Sequence, residues 1–278
     1  DAQTIDEYGV VYSTSNNPTI ANSKQTASGG SGSYNNTITG LAENTTYYVS
    51  AYAKWRGSDH VYGSTTSFKT QGRPVTTLNS PSASGSVTDV RPNLEFTGND
   101  PDNNQITYQL QLNPTNSFTS PSLDVLSSAD TGFTNRSDVK TDPFYSGNQI
   151  RYTLQTDLAR GSDYYWRVRG KDTNGSDSWG EWTTARKFTV SAIAPTVTIT
   201  GFSDILDTSL KVNGTIADNG GATVTERGAV LSTTPNPTTS DMKFTGTGES
   251  FTASATGLTA STTYYVRTYA INSVGTSY

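Results

Sequence analysis

Side chains able to carry out covalent chemistry are few in this chain of 278 residues. His60 is the single histidine, there is no cysteine, and no serine stands in a Gly-x-Ser-x-Gly motif. Nucleophilic catalysis needs a nucleophile beside a base, and a lone histidine supplies neither a pair nor a triad. Pairs of carboxylates occur by chance in any chain with 24 acidic residues. The sequence therefore predicts no catalytic residue and no enzyme.

Two short stretches are rich in oxygen ligands. NDPDNN includes Asp100 and Asp102, and DTNGSD includes Asp172 and Asp177. Calcium is bound by about six to eight oxygens from carboxylates, amides and carbonyls. These four carboxylates are therefore the predicted calcium ligands, on condition that the fold brings the two stretches together. The alternative is that Asp, Asn and Gly serve only as turn formers.

Aromatic and basic side chains alternate in the stretch YYWRVR, and WGEW follows a few residues later, on the strand that is expected to close the module. Successive side chains of a β-strand point to opposite faces, so Trp166 is predicted inward and Arg167 and Arg169 outward. Guanidinium groups stack on tryptophan rings, which makes Trp179 and Trp182 the expected partners. The predicted role is structural stiffening. The alternative is a sugar-binding aromatic platform that includes Trp179.

The same alternation places two pairs of tyrosines on an outward face. They are Tyr48 and Tyr52 near the start of the chain, and Tyr265 and Tyr269 near its end. Paired exposed tyrosines combine an apolar ring with a polar tip and can bind a glycan or a neighbouring protein. Cross-strand packing on a half-polar face is the alternative explanation.

A repeated spacing indicates the elements that must position these side chains. A leucine is followed after five residues by a tyrosine that opens an alternating run, and this occurs three times: Leu41 with Tyr47, Leu158 with Tyr164, and Leu258 with Tyr264. A tyrosine that starts a strand and bonds its hydroxyl back to the preceding turn is the tyrosine corner of immunoglobulin-like sandwiches. Three corners predict an all-β chain of three sandwiches.

The repeats divide the chain into three predicted modules, at residues 1–72, 73–190 and 191–278. The first and third modules share the order of their motifs, including a strand expected at residues 34–38 and its counterpart around Phe251. The first module lacks the two leading strands of the third, and the third lacks the closing strand of the first. Either this chain is a window in a longer tandem array, or neighbouring chains donate the missing strands. Linkers between the modules are short and contain proline, which favours a semi-rigid rod.

Composition excludes several classes of partner. The formal charge is −5 and the pI is near 4.9, with no cluster of lysine and arginine, so nucleic acid is not an expected partner. The absence of cysteine excludes disulfides and thiolate zinc sites. No apolar run approaches the roughly 18 residues of a membrane span.

These modules resemble fibronectin type III domains. The outer pair, with GVVYST, NPT and GLxxxTTYYV runs, is similar to tandem repeats of large bacterial surface and secreted proteins. The middle module, with DPDxxxxTYxLQL and YYWRVRxKD, resembles sandwich modules of such proteins and of some phage structural proteins. The resemblance implies that both oxygen-rich stretches lie in loops at one pole of the middle sandwich. It also implies a Trp–Arg arrangement like the Trp-Ser-x-Trp-Ser box of cytokine-receptor domains.

The predicted function is a non-catalytic, extracellular structural or adhesive segment that spaces or presents other domains on a cell surface or in a secreted protein. Each module is roughly 30 Å long, so three in line span about 100 Å. Expected partners are neighbouring modules of the same or an identical chain, together with a cell-surface glycan or protein. Two alternatives stay open: a filament subunit completed by strand exchange between chains, and a glycan-binding accessory module of a secreted enzyme. A virion is the alternative location.

Overall fold

The computed structural model describes residues 4–28, 32–139 and 142–278, and within these ranges the regular structure is entirely β. The described residues form twenty-one strands in five sheets. No helix in the described part of the chain is long and apolar enough to cross a membrane.

The first module contributes one sheet. Its strands are β1 (Ile5–Ser13), β2 (Ser23–Thr26), β3 (Thr46–Trp55), β4 (Asp59–Tyr62) and β5 (Thr66–Lys69). The order is β2-β1-β3, and β4 and β5 pair with the two halves of β3 along its other edge. The described residues of this module form no second sheet against it.

The middle module is a complete two-sheet sandwich. One sheet has the order β10-β9-β13-β14-β7 and the other β11-β12-β8-β6. The strands are β6 (Val75–Ser80), β7 (Gly85–Val87), β8 (Asn93–Asn99), β9 (Ile106–Asn113), β10 (Leu123–Leu126), β11 (Phe133–Asn135), β12 (Gln149–Thr153), β13 (Ser162–Asp172) and β14 (Arg186–Val190). Alternating apolar residues of facing strands meet between the sheets, where Phe96, Tyr108 and Trp166 are fully buried.

The third module also packs two sheets, in the orders β15-β16-β19 and β18-β17-β20-β21. The strands are β15 (Thr196–Ser203), β16 (Ser209–Asp218), β17 (Glu226–Ser232), β18 (Met242–Thr245), β19 (Ser250–Thr256), β20 (Tyr265–Ile271) and β21 (Thr276–Ser277). Its core is built from small side chains, among them Ala229, Ala253 and Ala255. The predicted all-β fold class is confirmed, with two-sheet sandwiches in the middle and third modules. Among the described residues of the first module no strand corresponds to β15 or β16, and the third module ends with the two-residue strand β21.

Two details of the sequence analysis were wrong. Residues 34–38 form no strand, although their counterpart in the third module is β19. In the third module β19 pairs with β16, whereas the described residues of the first module include no strand equivalent to β16. The WGEW segment is not part of the closing strand either, because β14 begins only at Arg186. Trp179 instead makes an isolated bridge to Lys171 of β13.

The Leu-to-Tyr stretches have the same geometry in all three modules. The hydroxyl of Tyr47 accepts the Ala42 N–H at 3.1 Å, that of Tyr164 accepts the Ala159 N–H at 3.0 Å, and that of Tyr264 accepts the Thr259 N–H at 3.1 Å. The intervening turn contains a residue with positive φ at the equivalent position each time: Asn44, Gly161 and Ser261. The left-handed residue lets the chain reverse within the five residues between the leucine and the tyrosine.

Removal of the middle corner hydrogen bond tests its contribution. We expect Tyr164→Phe to lower the free energy of unfolding of the middle module by about 0.5–1.5 kcal/mol, because the partly buried Ala159 N–H loses its acceptor. Urea unfolding followed by tryptophan fluorescence reports on this module, which holds three of the four tryptophans. Tyr165→Phe on the opposite face of β13 is the matched control. Equal stabilities of the two variants would contradict the assigned role of Tyr164.

Candidate functional site

The outward face of β9 and β13 carries a stack of aromatic rings and guanidinium groups. Arg167 lies 4.3 Å from the ring centroids of both Phe118 and Trp182. Arg169 lies 4.5 Å from the centroid of Trp182 and 4.7 Å from that of Trp179. The structure thus brings together the arginines and tryptophans that the sequence singled out, and adds Phe118. We call these five side chains the Arg–aromatic stack.

Glutamines of β9 hold both arginines in place. The Oε1 of Gln111 accepts hydrogen bonds from Nε and Nη2 of Arg167 at 2.9 and 2.8 Å. In the same way, the Oε1 of Gln109 accepts hydrogen bonds from Nε and Nη2 of Arg169 at 2.9 and 2.6 Å. Both glutamine amides then donate to the carboxylate of Asp124 on β10, at 2.7 and 2.9 Å. One carboxylate therefore orients two guanidinium groups through neutral amides.

The positive charges of the stack are partly withdrawn from water. Burial lowers the pKa of both guanidinium groups below the ordinary arginine value, and for Arg167 the neighbouring charge of Arg169 adds to this. Asp124 acts in the opposite direction on both groups. A planar guanidinium tolerates such an environment because it is weakly hydrated and stacks on rings.

This arrangement favours packing over sugar binding. Two guanidinium groups lie over the Trp182 ring, which is therefore engaged in packing. Trp179 stacks on Arg169 and extends the row to its end. Gln109, Gln111, Asp124 and Phe118 were missed in the sequence. The signal was available for the glutamines, because the QLQL run of β9 has outward glutamines directly opposite Arg167 and Arg169.

The predicted tyrosine platform is not present as expected, because two of its four tyrosines are buried. Tyr52 is 3% exposed and Tyr269 is 0% exposed. Each ring lies opposite a glycine on the neighbouring strand, Gly9 or Gly228, where no side chain competes for the space. Tyr265 is 45% exposed, and Tyr48 is half-buried. The alternation predicts the outward direction of these tyrosines correctly, but the neighbouring strand covers part of the outward face.

The buried tyrosines belong to a triad that occurs in both outer modules. The Tyr52 hydroxyl donates to Glu7 at 2.6 Å, and Lys24 of β2 pairs with the same carboxylate at 2.7 Å. In the third module the equivalent distances are 2.8 Å from Tyr269 to Glu226 and 2.9 Å from Lys243. The lysine and then the tyrosine hydroxyl lower the pKa of each glutamate, and burial with the adjacent carboxylate raises the pKa of each tyrosine.

The two oxygen-rich loops meet, since Asn104 Nδ2 donates to Asp172 Oδ2 at 3.5 Å, but the four predicted calcium ligands do not form one group. Asp100 Oδ1 accepts the amides of Asp102 and Asn104, and Asp172 accepts the amides of Asn174 and Ser176. These are the bonds of tight Asx turns. Asp102 and Asp177 are ion-paired with Lys69 and Lys171. Among the described residues no three acidic, histidine or cysteine side chains are grouped so as to hold a metal ion.

Asp102 has a different role, because it forms hydrogen bonds at the joint between the first and middle modules. Its Oδ2 accepts the Gly72 N–H at 2.6 Å and its Oδ1 pairs with Lys69 at 3.0 Å. The amide, and then the lysine, lower the pKa of this carboxyl. Arg73 extends the joint by donating to Glu43 of the first corner turn at 2.8 Å and to Glu181 of the middle module at 3.4 Å. Linker and both modules are therefore hydrogen-bonded together.

The residues that link the middle and third modules are hydrogen-bonded on both sides. The Ser191 N–H donates to the Val87 carbonyl of the middle module at 2.8 Å, the Ile193 N–H donates to the Gly220 carbonyl of the third module at 2.8 Å, and Asn272 Nδ2 donates to the Ile193 carbonyl at 2.7 Å. Across it, Gly161 of the corner turn meets Gly221 so closely that a Cβ at Gly161 would lie 2.1 Å from the Gly221 carbonyl oxygen. In the two joints the corner turn of one module therefore lies at a loop of the next, the β8–β9 loop in the middle module and the β16–β17 loop in the third.

No protein-family model matches the chain, and no curated protein matches it. Among solved structures, the chain is similar to a crystal structure of titin domains at 16% identity, over 84% of this chain and 71% of that one, with a TM-score of 0.31. It is also similar to a crystal structure of the FN1-FN3 domains of chicken CNTN1, at 13% identity over 99% and 86%, with a TM-score of 0.29. The architecture given above is defined by the strand pairing of this chain alone.

A double-mutant cycle tests the Arg–aromatic stack. Arg169→Met keeps the aliphatic stem and removes the charge, while Trp182→Leu removes the ring. We expect a coupling energy of about 0.5–1.5 kcal/mol in urea unfolding, because the guanidinium lies over the ring at 4.5 Å. The buried Trp166 remains as the fluorescent reporter.

The control cycle pairs Arg169→Met with Trp55→Leu in the first sheet, and its coupling energy should be zero within error. A coupling in the Trp182 cycle as small as in the control cycle would show that the stack contributes no interaction energy.

Acid titration tests the triad of the third module. Because the pKa of Glu226 in the folded chain is below the ordinary glutamate value, its stabilising effect is fully present above about pH 4.5 and is lost as the pH falls through the folded pKa. We therefore expect Glu226→Gln to make the third module less stable at neutral pH and less sensitive to acid than the unchanged chain. Hydrogen exchange of the β17 and β20 amides between pH 6 and pH 3 measures this, after correction for intrinsic rates. Glu249→Gln, at an exposed site of the same module, should leave the pH dependence unchanged.

Proposed function

We propose that this chain is a non-catalytic, semi-rigid segment that spaces or presents other domains outside the cell. Tandem fibronectin-type sandwiches of this kind are typical of structural or adhesive extracellular proteins. The observation that supports the rod most directly is that each linker is hydrogen-bonded to the modules on both sides of it. A flexible tether would leave such linkers solvated.

The joints resist bending for two different reasons. At the first joint, Gly72 is buried, and a Cβ there would lie 2.8 Å from Pro101, so the linker is packed as well as bonded. At the second joint the contacts are between backbone groups, whose positions are fixed by the flanking strands. Bending either joint therefore breaks hydrogen bonds of groups that are partly withdrawn from water, at a cost of about 0.5–1.5 kcal/mol each.

The chemistry of the remaining surface agrees with a spacing role. The rings of Trp182, Tyr52 and Tyr269 are engaged in packing, and the carboxylates of the acidic loops are used by their own backbone or by lysines. Side chains that could serve a ligand are thus used to hold strands and modules together. The function of such a segment lies in its length and stiffness, and these depend on the joints.

A pair of glycine substitutions tests the rod. Gly161→Ala forces a Cβ against the Gly221 carbonyl oxygen at the second joint, whereas Gly257→Ala has the same positive φ and no atom within 4 Å. In both variants an alanine must adopt a positive φ, which costs about 1–2 kcal/mol. The difference between the two variants therefore reports on the contact at the joint. Because the chain has no cysteine, spin labels can be attached cleanly at Ser120→Cys and Ser240→Cys, which flank this joint.

We expect a narrow distance distribution between the two labels in the otherwise unchanged chain and in Gly257→Ala, and a broader one in Gly161→Ala. Pulsed dipolar spectroscopy measures these distributions directly. A broad distribution in the unchanged chain would contradict the proposed stiffness.

A further inference from the structure

The dipeptide Asn-Gly occurs three times in the chain, and the three copies differ in how tightly they are held. They are Asn174–Gly175 in the loop after β13, Asn213–Gly214 in β16, and Asn219–Gly220 in the loop between β16 and β17. An asparagine that precedes a glycine can react with its own backbone, because glycine has no side chain to keep its nitrogen away from the asparagine Cγ. The reaction requires that the asparagine amide and the glycine N–H are free to meet.

The copy in β16 is held on both sides of the strand. Asn213 Nδ2 donates to Ser203 Oγ at 3.3 Å, and Asn213 Oδ1 accepts from Thr252 Oγ1 at 2.8 Å. Gly214 is buried in the ladder between β15 and β19. Both the side chain and the backbone of this copy are therefore fixed, and the Asn213 Cγ is kept away from the Gly214 nitrogen.

The copy at the second joint is exposed at Asn219, but the groups that would react are engaged. Asn219 Oδ1 accepts the Gly221 N–H at 2.8 Å. The Gly220 N–H, whose nitrogen would have to attack, donates to Asp218 at 2.8 Å. The Asn219 carbonyl also accepts from Asn272 at 2.9 Å, which holds the backbone of the turn. Reaction at Asn219 would therefore first require several hydrogen bonds to break.

The copy after β13 is not restrained in this way. Asn174 is exposed, and within the described chain neither its side-chain amide nor the Gly175 N–H makes a hydrogen bond. The amides on either side are held by Asp172, which accepts the Asn174 N–H at 2.8 Å and the Ser176 N–H at 2.7 Å. The turn thus fixes its two ends and leaves the reacting pair between them available.

We propose that Asn174 is a site of spontaneous modification at the first joint. The Gly175 nitrogen gives up its proton and bonds to the Asn174 Cγ, the Cγ–Nδ2 bond breaks, and the amide nitrogen leaves as ammonia with that proton. The product is a cyclic succinimide. Water then opens the ring at Cγ, which gives aspartate, or at the backbone carbonyl carbon, which gives isoaspartate. The net reaction consumes water and releases ammonia, and no other reactant is needed.

The modified loop lies against the first joint. A Cβ at Gly175 would lie 2.6 Å from Asn104 Nδ2 and 2.8 Å from Gln71 Oε1, so there is no room around this residue. The Gln71 carbonyl accepts the Asn44 N–H of the first corner turn at 3.2 Å. Isoaspartate lengthens the backbone by a methylene group before Gly175, and both products place a new carboxylate near the buried Asp172. The modification therefore weakens the hydrogen bonds of the first joint.

Peptide mapping of the full chain by mass spectrometry, after storage at mildly alkaline pH, measures the modification at each copy. In the folded chain we expect Asn174 to convert at least about tenfold faster than Asn213 or Asn219, because each hydrogen bond that must break first slows the reaction. In urea the three rates should become similar, since these hydrogen bonds are lost. A rate at Asn174 that does not exceed the other two in the folded chain would overturn the site.

A matched pair of variants identifies the reacting residue. Asn174→Gln keeps the amide but requires a larger ring that closes more slowly, so the loop should stay unmodified. Asn116→Gln, at an exposed position in the loop after β9, should leave the conversion of Asn174 unchanged. Release of ammonia by Asn174→Gln at the rate of the unchanged chain would show that another residue is the source, and would overturn the assignment.

Hydrogen exchange followed by NMR tests the effect on the first joint. The converted chain carries an additional negative charge and is separated by ion exchange. We expect the Asn44 and Gly72 amides, whose acceptors are Gln71 and Asp102, to exchange about threefold faster or more than in stored Asn174→Gln. The Ile193 amide of the second joint should exchange equally in both.

Two results would overturn the effect on the joint. One is equal exchange of the Asn44 and Gly72 amides in the two samples, and the other is an equal acceleration at Ile193, which indicates a general loss of stability. The effect on stiffness rests on the proposed rod, whose own test concerns the second joint, so the two proposals can fail separately.

Discussion

The tyrosine corner is the interaction on which both the sandwiches and the joints depend. The tyrosine near the start of the corner strand accepts a hydrogen bond at its hydroxyl from the amide five residues earlier, and this bond fixes the turn between them. That turn contains a residue with positive φ. The turn then protrudes at the pole of the module. In the first two modules this protrusion is the surface that meets the next module, through Glu43 and Gly161. The same local bond therefore closes each module and sets the geometry of the array.

The outward face of the strand that follows each tyrosine corner is stabilised in two different ways. Long side chains there must pack against each other, because the sheet leaves this face to solvent. The middle module uses the Arg–aromatic stack, in which Asp124 orients two guanidinium groups through glutamines. The outer modules use a glutamate that accepts from both a tyrosine and a lysine. In each case a single carboxylate organises the face.

The features that the sequence predicts correctly are local, whereas the features that it does not predict depend on strands that are distant in the sequence. Alternation and the Leu-to-Tyr spacing are encoded within a dozen residues, so the sandwiches, the corners and the directions of Arg167 and Trp166 followed from them. Burial of Tyr52 depends on Gly9 and β2, far away in the chain. The calcium prediction was not supported because loop carboxylates bond their own backbone amides, as at Asp172, before any ion is considered. Residues 34–38 alternate like a strand but pair with no strand in the described part of the chain.

A comparison of side chains at equivalent positions in the first and third modules explains how the single sheet of the first module is stabilised. Where the third module has Arg227 and Leu231, the first has Tyr8 and Tyr12, whose rings contact those of Tyr34 and Tyr47 at 5.2 and 6.3 Å. Tyr47 stacks in turn on Phe68. Aromatic side chains bury more apolar area per residue than leucine or alanine, so a row of them shields part of a face that small residues would leave wet. Shielding is least between the two aromatic groups, at Ala51, whose side chain is exposed.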